Sequence, residues 1–427
     1  MSSTTLARPA PDVRHARVAV AVLFFTNGAL FANLIPRYPE IKAALELSNA
    51  SYGLAVAAFP AGAITAGLAA APLLRRFGSA PVAVAGTILT SIGVLLAGLS
   101  PSLAVLVGAL FLAGAMDSFT DVAQNAHGLR VQRRYGRSII NSFHAVWSIG
   151  AVTGGLMAAA AIALRLPLGV HLASTAVLFS VVAILARRWC LRGTDLVPDD
   201  AAPLGTSGAA GRISGRTVWL LVALVLVAVA GTLVEDAGNT WAAVYLSGSL
   251  GASAELAAFG FVSLVGAQFV GRLVGDRMVD RFGQRAVARL GGLLIAVGMG
   301  LALAFPTVAG TIAGFAAAGF GTATLVPAAM QQADEVPGLR PGTGLTLVSW
   351  LMRLGFLLSP PIVGLVADAT SLRAGLLVLP LAGVVVVLLA GVLAPRRRST
   401  GRPGPAGHDR HDDHDRRTTA PEEATTA

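Results

Sequence analysis

Charge is scarce in this sequence. Only 13% of its 427 residues are charged, whereas 55% are hydrophobic and the mean hydropathy is +0.71. A water-soluble protein must cover its surface with polar and charged side chains, so this composition excludes an ordinary soluble fold. It predicts an all-α integral membrane protein instead.

Cysteine and lysine are nearly absent as well. Cys190 is the single cysteine, which excludes a disulfide bond within one chain, and 31 of the 32 basic residues are arginine. The sequence contains no P-loop pattern G-x-x-x-x-G-K, no metal-spaced cluster of cysteine and histidine, and no polar segment long enough to hold a soluble enzyme. We therefore expect neither an ATP-driven pump nor an enzyme, with no cofactor and no bound metal.

What the sequence does contain is about twelve apolar runs of the length that a membrane helix needs, from 18–36 to 373–394. A Pro/Gly/Ser/Asp-rich stretch divides them into six plus six, and a polar, low-complexity segment follows the last run. The predicted organisation is a cytosolic N-terminus (1–17), an N-terminal six-helix bundle (18–192), a cytosolic linker (193–216), a C-terminal six-helix bundle (217–394) and a disordered cytosolic tail (395–427).

The arginines lie between the apolar runs, and almost all of them fall in alternate loops. If the N-terminus is cytosolic, the only basic residues of the outer loops are Arg37, Lys42, Arg165 and Arg373. The positive-inside rule then predicts that both termini are cytosolic and that the chain spans the inner (plasma) membrane many times. The net charge of +10 is explained by this topology, so we expect no nucleic-acid partner.

A short basic segment occurs twice. The residues from Arg76 to Pro101, compared with those 205 positions later that end at Pro306, are identical at eleven of 26 positions. Each copy, around Gly78 and Gly283, joins two apolar runs. The chain is thus predicted to be an internal duplication, which is typical of secondary transporters.

The sequence resembles members of the major facilitator superfamily. The shared features are twelve apolar runs, a duplication of six runs, a central linker and this repeated loop. The second copy, Asp280-Arg281-Phe282-Gly283-Gln284-Arg285, is similar to the family's loop signature, whereas Arg75 stands at the Asp position of the first copy. The resemblance implies that the loop holds the two halves together on the cytosolic side in the outward-open state. We expect Asp280 to face a helix start near 138–141 in the other half. The residues assigned to this cytosolic gate are Arg76, Gly78, Asp280, Arg281, Gly283 and Arg285.

Three longer passages are similar to the bacterial permeases related to fucose permease. They run from Asn27 to Leu45, from Asp121 to Gly150, and from Glu235 to Gly283. The resemblance implies a secondary transporter whose central cavity is lined mainly by spans 1, 4, 7 and 10. It implies a sugar or similar polar solute as the substrate.

Ionisable side chains inside apolar runs are costly and mark a pathway for ions or substrate. Asp117 and Asp121 are four residues apart on span 4, with Asn125 one turn further on the same face, while Glu235 and Asp236 are adjacent on span 7. We predict proton coupling by Asp121 and Glu235, followed by Asp117 and Asp236. The alternative for each is a packing or helix-end role. Arg353 on span 11 is expected to pair with Glu235 or the span 4 carboxylates.

Uncharged polar side chains on the same spans are predicted to contact the substrate. The cavity residues assigned from the sequence are Asn27, Asn33, Asn125, His144, Asn239, Gln268 and Arg353. A histidine such as His144 could instead be a hydrogen-bonded packing residue.

The sequence therefore predicts a proton-coupled secondary transporter of a small molecule that works by rocking of two six-helix halves. Its partners are a small-molecule substrate, protons and the lipid bilayer, and we expect a monomer. Proton-driven efflux of a drug or metabolite is the alternative, and a polytopic membrane sensor is a distant one.

Overall fold

The structure is a computed structural model that describes residues 10–193, 214–339 and 342–393. The predicted tail and all but the ends of the predicted linker lie outside these ranges. The described residues form helices and no strand. Among them, twelve helices are long and apolar enough to cross a membrane, and we number them as spans 1 to 12: Pro11–Ala44, Asn49–Gly67, Ser79–Gly98, Leu103–Tyr135, Ile140–Ala163, Leu168–Arg187, Gly215–Ser249, Ala254–Phe282, Gln284–Ala304, Val308–Asp334, Thr343–Ala369 and Leu372–Val392.

Several spans are not continuous helices. Span 1 consists of helices Pro11–Ala32 and Tyr38–Ala44 with a 3₁₀ turn between them, and a separate helix Ala70–Phe77 extends span 2. Span 10 consists of Val308–Thr322 and Leu325–Asp334, and span 11 of Thr343–Leu351 and Arg353–Ala369. Broken helices at membrane depth are typical of transporter binding sites, because backbone groups freed at a break must line a cavity or be buried in protein.

Short helices and turns complete the last spans. The end of span 7 is a π-helical turn over Tyr245–Ser249, and span 12 consists of Leu372–Gly375, Val378–Leu389 and the 3₁₀ turn Ala390–Val392. Hydroxyl side chains cap several helix starts by accepting a backbone N–H bond, which satisfies a donor that the helix itself cannot. These caps are Ser48, Ser102, Ser214, Ser253 and Thr307.

The backbone geometry of the two repeated loops is nearly identical. Gly78 has φ 82° and ψ 156°, and Gly283 has φ 84° and ψ 154°. This positive φ is strained for any residue with a Cβ, which explains why both copies have glycine there. Arg76 lies over the Phe77 ring and Arg281 over the Phe282 ring, each at 5.4 Å from the centroid. The predicted duplication is confirmed at the level of single side chains.

These loops define two faces of the molecule. We call the face with Gly78, Gly136 and Gly283 the arginine face, and the face where span 2 begins the opposite face. The sequence predicts that the arginine face is cytosolic.

Contacts between the two halves close the opposite face. The Asp368 carboxylate at the end of span 11 accepts hydrogen bonds from the backbone N–H groups of Asn49 and Ala50, at 2.9 and 2.8 Å. Both donors belong to the first turn of span 2, where the positive end of the helix dipole favours a carboxylate. Nearby, Gly53 lies so close to the Pro360 carbonyl that a Cβ would clash with it.

Aromatic side chains complete this closure. The Tyr52 hydroxyl donates to the Thr240 carbonyl at 2.8 Å, and its ring packs edge-on against Trp241 with a centroid distance of 4.9 Å. Tyr38 packs edge-on against Tyr52 from span 1. Because all three rings are fully or almost fully buried, water does not pass between the halves at this face.

Candidate functional site

A hydrogen-bonded chain connects three spans of the N-terminal half. The Asn27 amide donates to the Asp117 carboxylate at 2.6 Å, and Trp147 Nε1 donates to the Asn27 carbonyl oxygen at 2.7 Å. Asn27 uses both ends of its amide and so orients the carboxylate. Asn27 and Asp117 were predicted site residues, whereas Trp147 was not. An indole in an apolar run has no distinguishing pattern, although its N–H needs a partner when buried.

The carboxylate of the C-terminal half has two partners on span 8. Gln268 Nε2 donates to Glu235 Oε2 at 2.7 Å, and Arg272 Nη2 lies 3.9 Å from the same oxygen. The sequence analysis expected Arg353 to pair with Glu235 or with the span 4 carboxylates, and it missed Arg272 as the partner of Glu235. The available signal was its spacing, because Arg272 lies four residues after Gln268 and therefore on the same helical face.

Arg272 also reaches the other half of the protein. Its Nη1 donates to the Ser148 hydroxyl of span 5 at 3.3 Å, while Nη2 lies near Glu235. One guanidinium thus bridges the two six-helix bundles.

Asp121, Asn125, His144 and Arg353 form a more open group. Asn125 Nδ2 donates to Asp121 Oδ1 at 3.0 Å and also to the Asp121 carbonyl. The Asp121 carboxylate interacts electrostatically with His144 of its own half and with Arg353 of the other half, so it faces the space between them. Asp121, His144 and Arg353 are exposed, whereas the rings at the opposite face are buried. The central cavity is therefore open toward the arginine face.

Asp236 and Asn239 lie at the closed face rather than in this open cavity. Asp236 Oδ2 and Asn239 Oδ1 are buried without a hydrogen-bond partner in the described ranges, and so are the Tyr38 hydroxyl and Trp241 Nε1. Buried polar atoms without partners cost free energy. The closed face therefore holds a group of polar atoms that would gain hydration if it opened.

Asn33 lies away from the cavity. Its side chain is fully buried, donates to the Ala29 carbonyl at 2.8 Å, and contacts His171 Nε2 of span 6 at 2.9 Å. Here Asn33 joins spans 1 and 6. Sequence periodicity located it on span 1, but it could not show which neighbouring helix its face contacts.

The predicted gate residues lie at the open arginine face. Arg76, Asp280 and Arg281 are exposed, and the Asp280 carboxylate forms no hydrogen bond or ion pair with another residue that the structure describes. Arg285 is half-buried and its Nε donates to the Leu393 carbonyl at the end of span 12, at 3.1 Å. The contact predicted between Asp280 and the other half is not formed in this open state.

Glycine packing brings spans 1 and 5 into close contact behind the cavity. A Cβ at Gly28 would clash with the Trp147 carbonyl, and one at Gly150 or Gly154 would clash with carbonyl groups of span 1. Small residues allow such close approach between membrane helices. This contact sets the position of Trp147 and Asn27 relative to Asp117.

Comparisons with known proteins agree with this architecture. The sequence profile of the Major Facilitator Superfamily matches residues 20–279 and 236–421. The uncharacterized transporter y4wD of Sinorhizobium fredii is 31% identical over 378 residues, which cover 88% of this chain and 97% of that protein.

Solved structures share the fold at low sequence identity. A D-xylose-proton symporter superposes with a TM-score of 0.70 at 16% identity, covering 88% of this chain and 96% of its own. The transporter FucP in its outward conformation gives a TM-score of 0.57 at 18% identity, covering 88% of this chain and 97% of its own. The chain is a multi-pass membrane transporter rather than an enzyme, and it belongs to the major facilitator superfamily.

Proposed function

We propose that this protein is a proton-coupled secondary transporter of a small polar solute, such as a sugar, that works by rocking of its two halves. The observation that carries the proposal is the Arg272 bridge between Glu235 of one half and Ser148 of the other. Rocking moves span 8 relative to span 5, so it must break or rebuild this bridge. The event that opens one face of the protein therefore also changes the surroundings of a membrane carboxylate.

Proton coupling follows from the cost of unpaired charge inside a membrane. With Arg272 beside it, the Glu235 carboxylate has a counter-charge as well as the hydrogen bond from Gln268. When rocking moves Ser148 away, the Arg272 side chain loses its partner in the other half and can leave Glu235. An unpaired carboxylate at membrane depth is costly, so a proton then binds to Glu235 in place of the arginine. Asp121 has the corresponding relation to Arg353, which belongs to the other half.

The cavity between these carboxylates suits a solute with several hydroxyl groups. Asn27 of span 1 and Trp147 of span 5 contribute an amide and an indole, and Asn125, His144 and Arg353 add donors and acceptors from spans 4, 5 and 11. Alternating donors and acceptors around an aromatic side chain bind polyols well, because each hydroxyl both donates and accepts. The likeness to a D-xylose-proton symporter supports the same class of solute.

Proteoliposomes with an internal pH dye test this proposal directly. A pH gradient is imposed and a panel of sugars and cationic dyes is added. We expect proton movement that depends on a sugar or related polyol. Proton movement with the dyes alone would support efflux instead, and no proton movement with any compound would contradict coupled transport.

The proposed latch of Asp280 predicts a shift in conformation. If Asp280 binds a helix start of the other half in the outward-open state, Asp280→Ala should lower the population in which the arginine face is closed. Spin labels on cysteines introduced at Ala71 and Ala286, one exposed alanine in each half, report this as a larger share of long distances. Asp276→Ala removes an exposed carboxylate one turn earlier and is the matched control.

Native Cys190 does not interfere with this labelling. Burial raises the pKa of its thiol to about 11, so the reactive thiolate is rare at neutral pH. Unchanged distances in Asp280→Ala, or an equal change in Asp276→Ala, would contradict the latch.

A further inference from the structure

A basic cavity lies on the arginine face of the N-terminal half, away from the transport pathway. Its volume is about 530 Å³, and it lies between the Gly78 loop, the last turns of span 4 and the segment that follows span 6. Four arginines line it: Arg130, Arg187, Arg188 and Arg192. Of the residues assigned to proton coupling, to the substrate cavity or to the gate, only Gly78 lines this cavity.

A buried histidine holds the three walls of the cavity together. His127 Nδ1 contacts the Ser79 hydroxyl at 2.7 Å, and His127 Nε2 accepts a hydrogen bond from the Leu191 backbone N–H at 3.2 Å. Because Nε2 accepts, the neutral ring has its proton on Nδ1 and donates it to Ser79. Arg130, also buried, donates to the Gly193 carbonyl at 3.0 Å. The walls of the cavity are therefore fixed before any ligand binds.

Three of the lining arginines retain free binding capacity. Arg187, Arg188 and Arg192 are exposed, and their guanidinium groups form no hydrogen bond or ion pair with another residue of the described ranges. Three concentrated positive charges around a preformed cavity repel one another unless an anion lies between them. Arginine is well suited to phosphate, since its planar fork can donate two parallel hydrogen bonds.

Comparison with the C-terminal half explains why the cavity is unfilled in the N-terminal half. Arg285 stands two residues after Gly283, and its side chain reaches the Leu393 carbonyl at the end of span 12. The corresponding residue two positions after Gly78 is Ala80, which lines the cavity. An alanine leaves unfilled the gap that an arginine crosses in the other copy.

Large apolar side chains at the rim of the cavity are exposed. Phe77 and Ile184, which line it, are 55% and 46% exposed, and Trp189 beside it is 56% exposed. Arg187 ends span 6, and Arg188 and Arg192 follow it. Because span 6 is long and apolar enough to cross a membrane, we expect these arginines at the level of the phospholipid headgroups. Tryptophan is enriched at that same depth. A ligand with a phosphate group and acyl chains would satisfy both parts of this site.

We propose that this cavity binds the headgroup of an anionic phospholipid, with its phosphate between Arg187, Arg188 and Arg192 and its acyl chains along span 6. Basic pockets between membrane helices on the cytosolic side are suited to such headgroups. A bound lipid would connect the Gly78 loop with the end of span 6. In the C-terminal half, the Arg285 side chain makes the corresponding connection between the Gly283 loop and the end of span 12. Bound lipid would then stabilise the N-terminal half.

Thermal denaturation of the purified full-length protein in neutral detergent tests the site. Phosphatidylglycerol is titrated against phosphatidylcholine, and we expect saturable stabilisation by phosphatidylglycerol only. The double variant Arg187→Gln/Arg188→Gln should weaken the apparent affinity about 30-fold, given the usual contribution of each arginine to anionic-lipid binding. The variant Ala80→Arg should abolish binding by filling the cavity, as Arg285 does, while adding a positive charge.

Matched controls separate this site from general attraction to basic protein. Arg133→Gln/Arg134→Gln removes the same charge from exposed positions at the end of span 4 that do not line the cavity, and it should keep wild-type affinity. An equal loss in that control, or equal stabilisation by phosphatidylcholine, would overturn the proposal. Equal stabilisation by inorganic phosphate would show a site for a free anion and would also overturn it.

Carboxylates of the linker are the alternative ligand that the test must separate from lipid. Asp195, Asp199 and Asp200 follow closely after Gly193 in the sequence. If phosphatidylglycerol stabilises only the variant in which all three are changed to asparagine, the linker carboxylates occupy the cavity and the lipid proposal fails. None of these outcomes depends on transport activity, so the lipid site and the proposed function fail or succeed separately.

Discussion

Asp121→Asn is expected to abolish proton-driven accumulation of the substrate while leaving counterflow exchange intact. Exchange needs only that the loaded protein rocks between its two states, whereas accumulation needs a group that gains and loses a proton in each cycle. Asn keeps the shape of the side chain and its hydrogen bond with Asn125, but it cannot titrate. Asp121 is exposed to the open cavity and interacts with Arg353 across the halves, so a proton can reach it from the arginine face.

Radiolabelled substrate in proteoliposomes measures both activities in the same preparation. Asp276→Asn, which neutralises an exposed carboxylate near the end of span 8, is the control and should leave both activities unchanged. Accumulation at the wild-type level in Asp121→Asn would remove Asp121 from the coupling mechanism. The same measurement on Asp117→Asn and Glu235→Gln assigns the roles of the other two cavity carboxylates.

Gly53→Val is expected to shift the protein strongly away from the state observed here. A Cβ at Gly53 would clash with the Pro360 carbonyl of span 11, and backbone atoms of two packed helices cannot move aside as a flexible side chain can. Overpacking of this kind typically costs about 1–3 kcal/mol. Spans 2 and 11 separate in the state whose opposite face is open. The overpacking therefore destabilises only the state in which this face is closed. We therefore expect at least a fivefold shift in population, because about 1 kcal/mol is a factor of five in an equilibrium constant.

Two label pairs measure this shift. Cysteines at Ala44 and Thr370, one exposed residue from each half, should report a longer distance across the opposite face. The Ala71 and Ala286 pair should report a shorter one across the arginine face. Gly300→Val is the matched control, because a Cβ at Gly300 of span 9 meets no atom within 4 Å. If both distances stay at their wild-type values in Gly53→Val, the contact between Gly53 and Pro360 does not hold the opposite face closed.

Closure of the opposite face involves both stabilising and destabilising contributions. Asp368 and the backbone of span 2 stabilise it through charge-assisted hydrogen bonds. Against this, Tyr38, Asp236, Asn239 and Trp241 each bury a polar atom without a partner in the described ranges. Opening would hydrate these atoms and break the Asp368 contact. Such opposing contributions allow a protein to populate two states.

A carboxylate that binds the start of a helix in the other half was predicted for the arginine face. The structure shows this interaction at the opposite face instead, with Asp368 as the carboxylate. Sequence reasoning placed a carboxylate, Asp280, at the start of a helix in the other half. In the observed state Asp368 does this at the start of span 2, whereas Asp280 is exposed. Asp368 lies near the end of span 11 and outside any motif, so no sequence signal distinguished it from an ordinary helix-end carboxylate.

The sequence by itself determined the membrane class, the twelve spans, the duplication and the family. These properties depend on composition, on the length of apolar runs and on local repeats, which are visible along one chain. It also placed Asp117, Asp121 and Asn125 on one helical face, because that requires only the helical period. The two glycines with positive φ were likewise predictable as equivalent positions, since the same local constraint acts in each copy.

Only the tertiary structure decided which side chains meet and which face is open. Arg272 pairs with Glu235 and reaches Ser148, whereas Asn33 turns to His171. Helical periodicity gives the direction of a side chain around its own axis, but its partner depends on how neighbouring helices pack and rotate, which is set by contacts between distant residues. The open state is likewise a property of contacts between the halves, and a sequence that rocks between two states must be compatible with both.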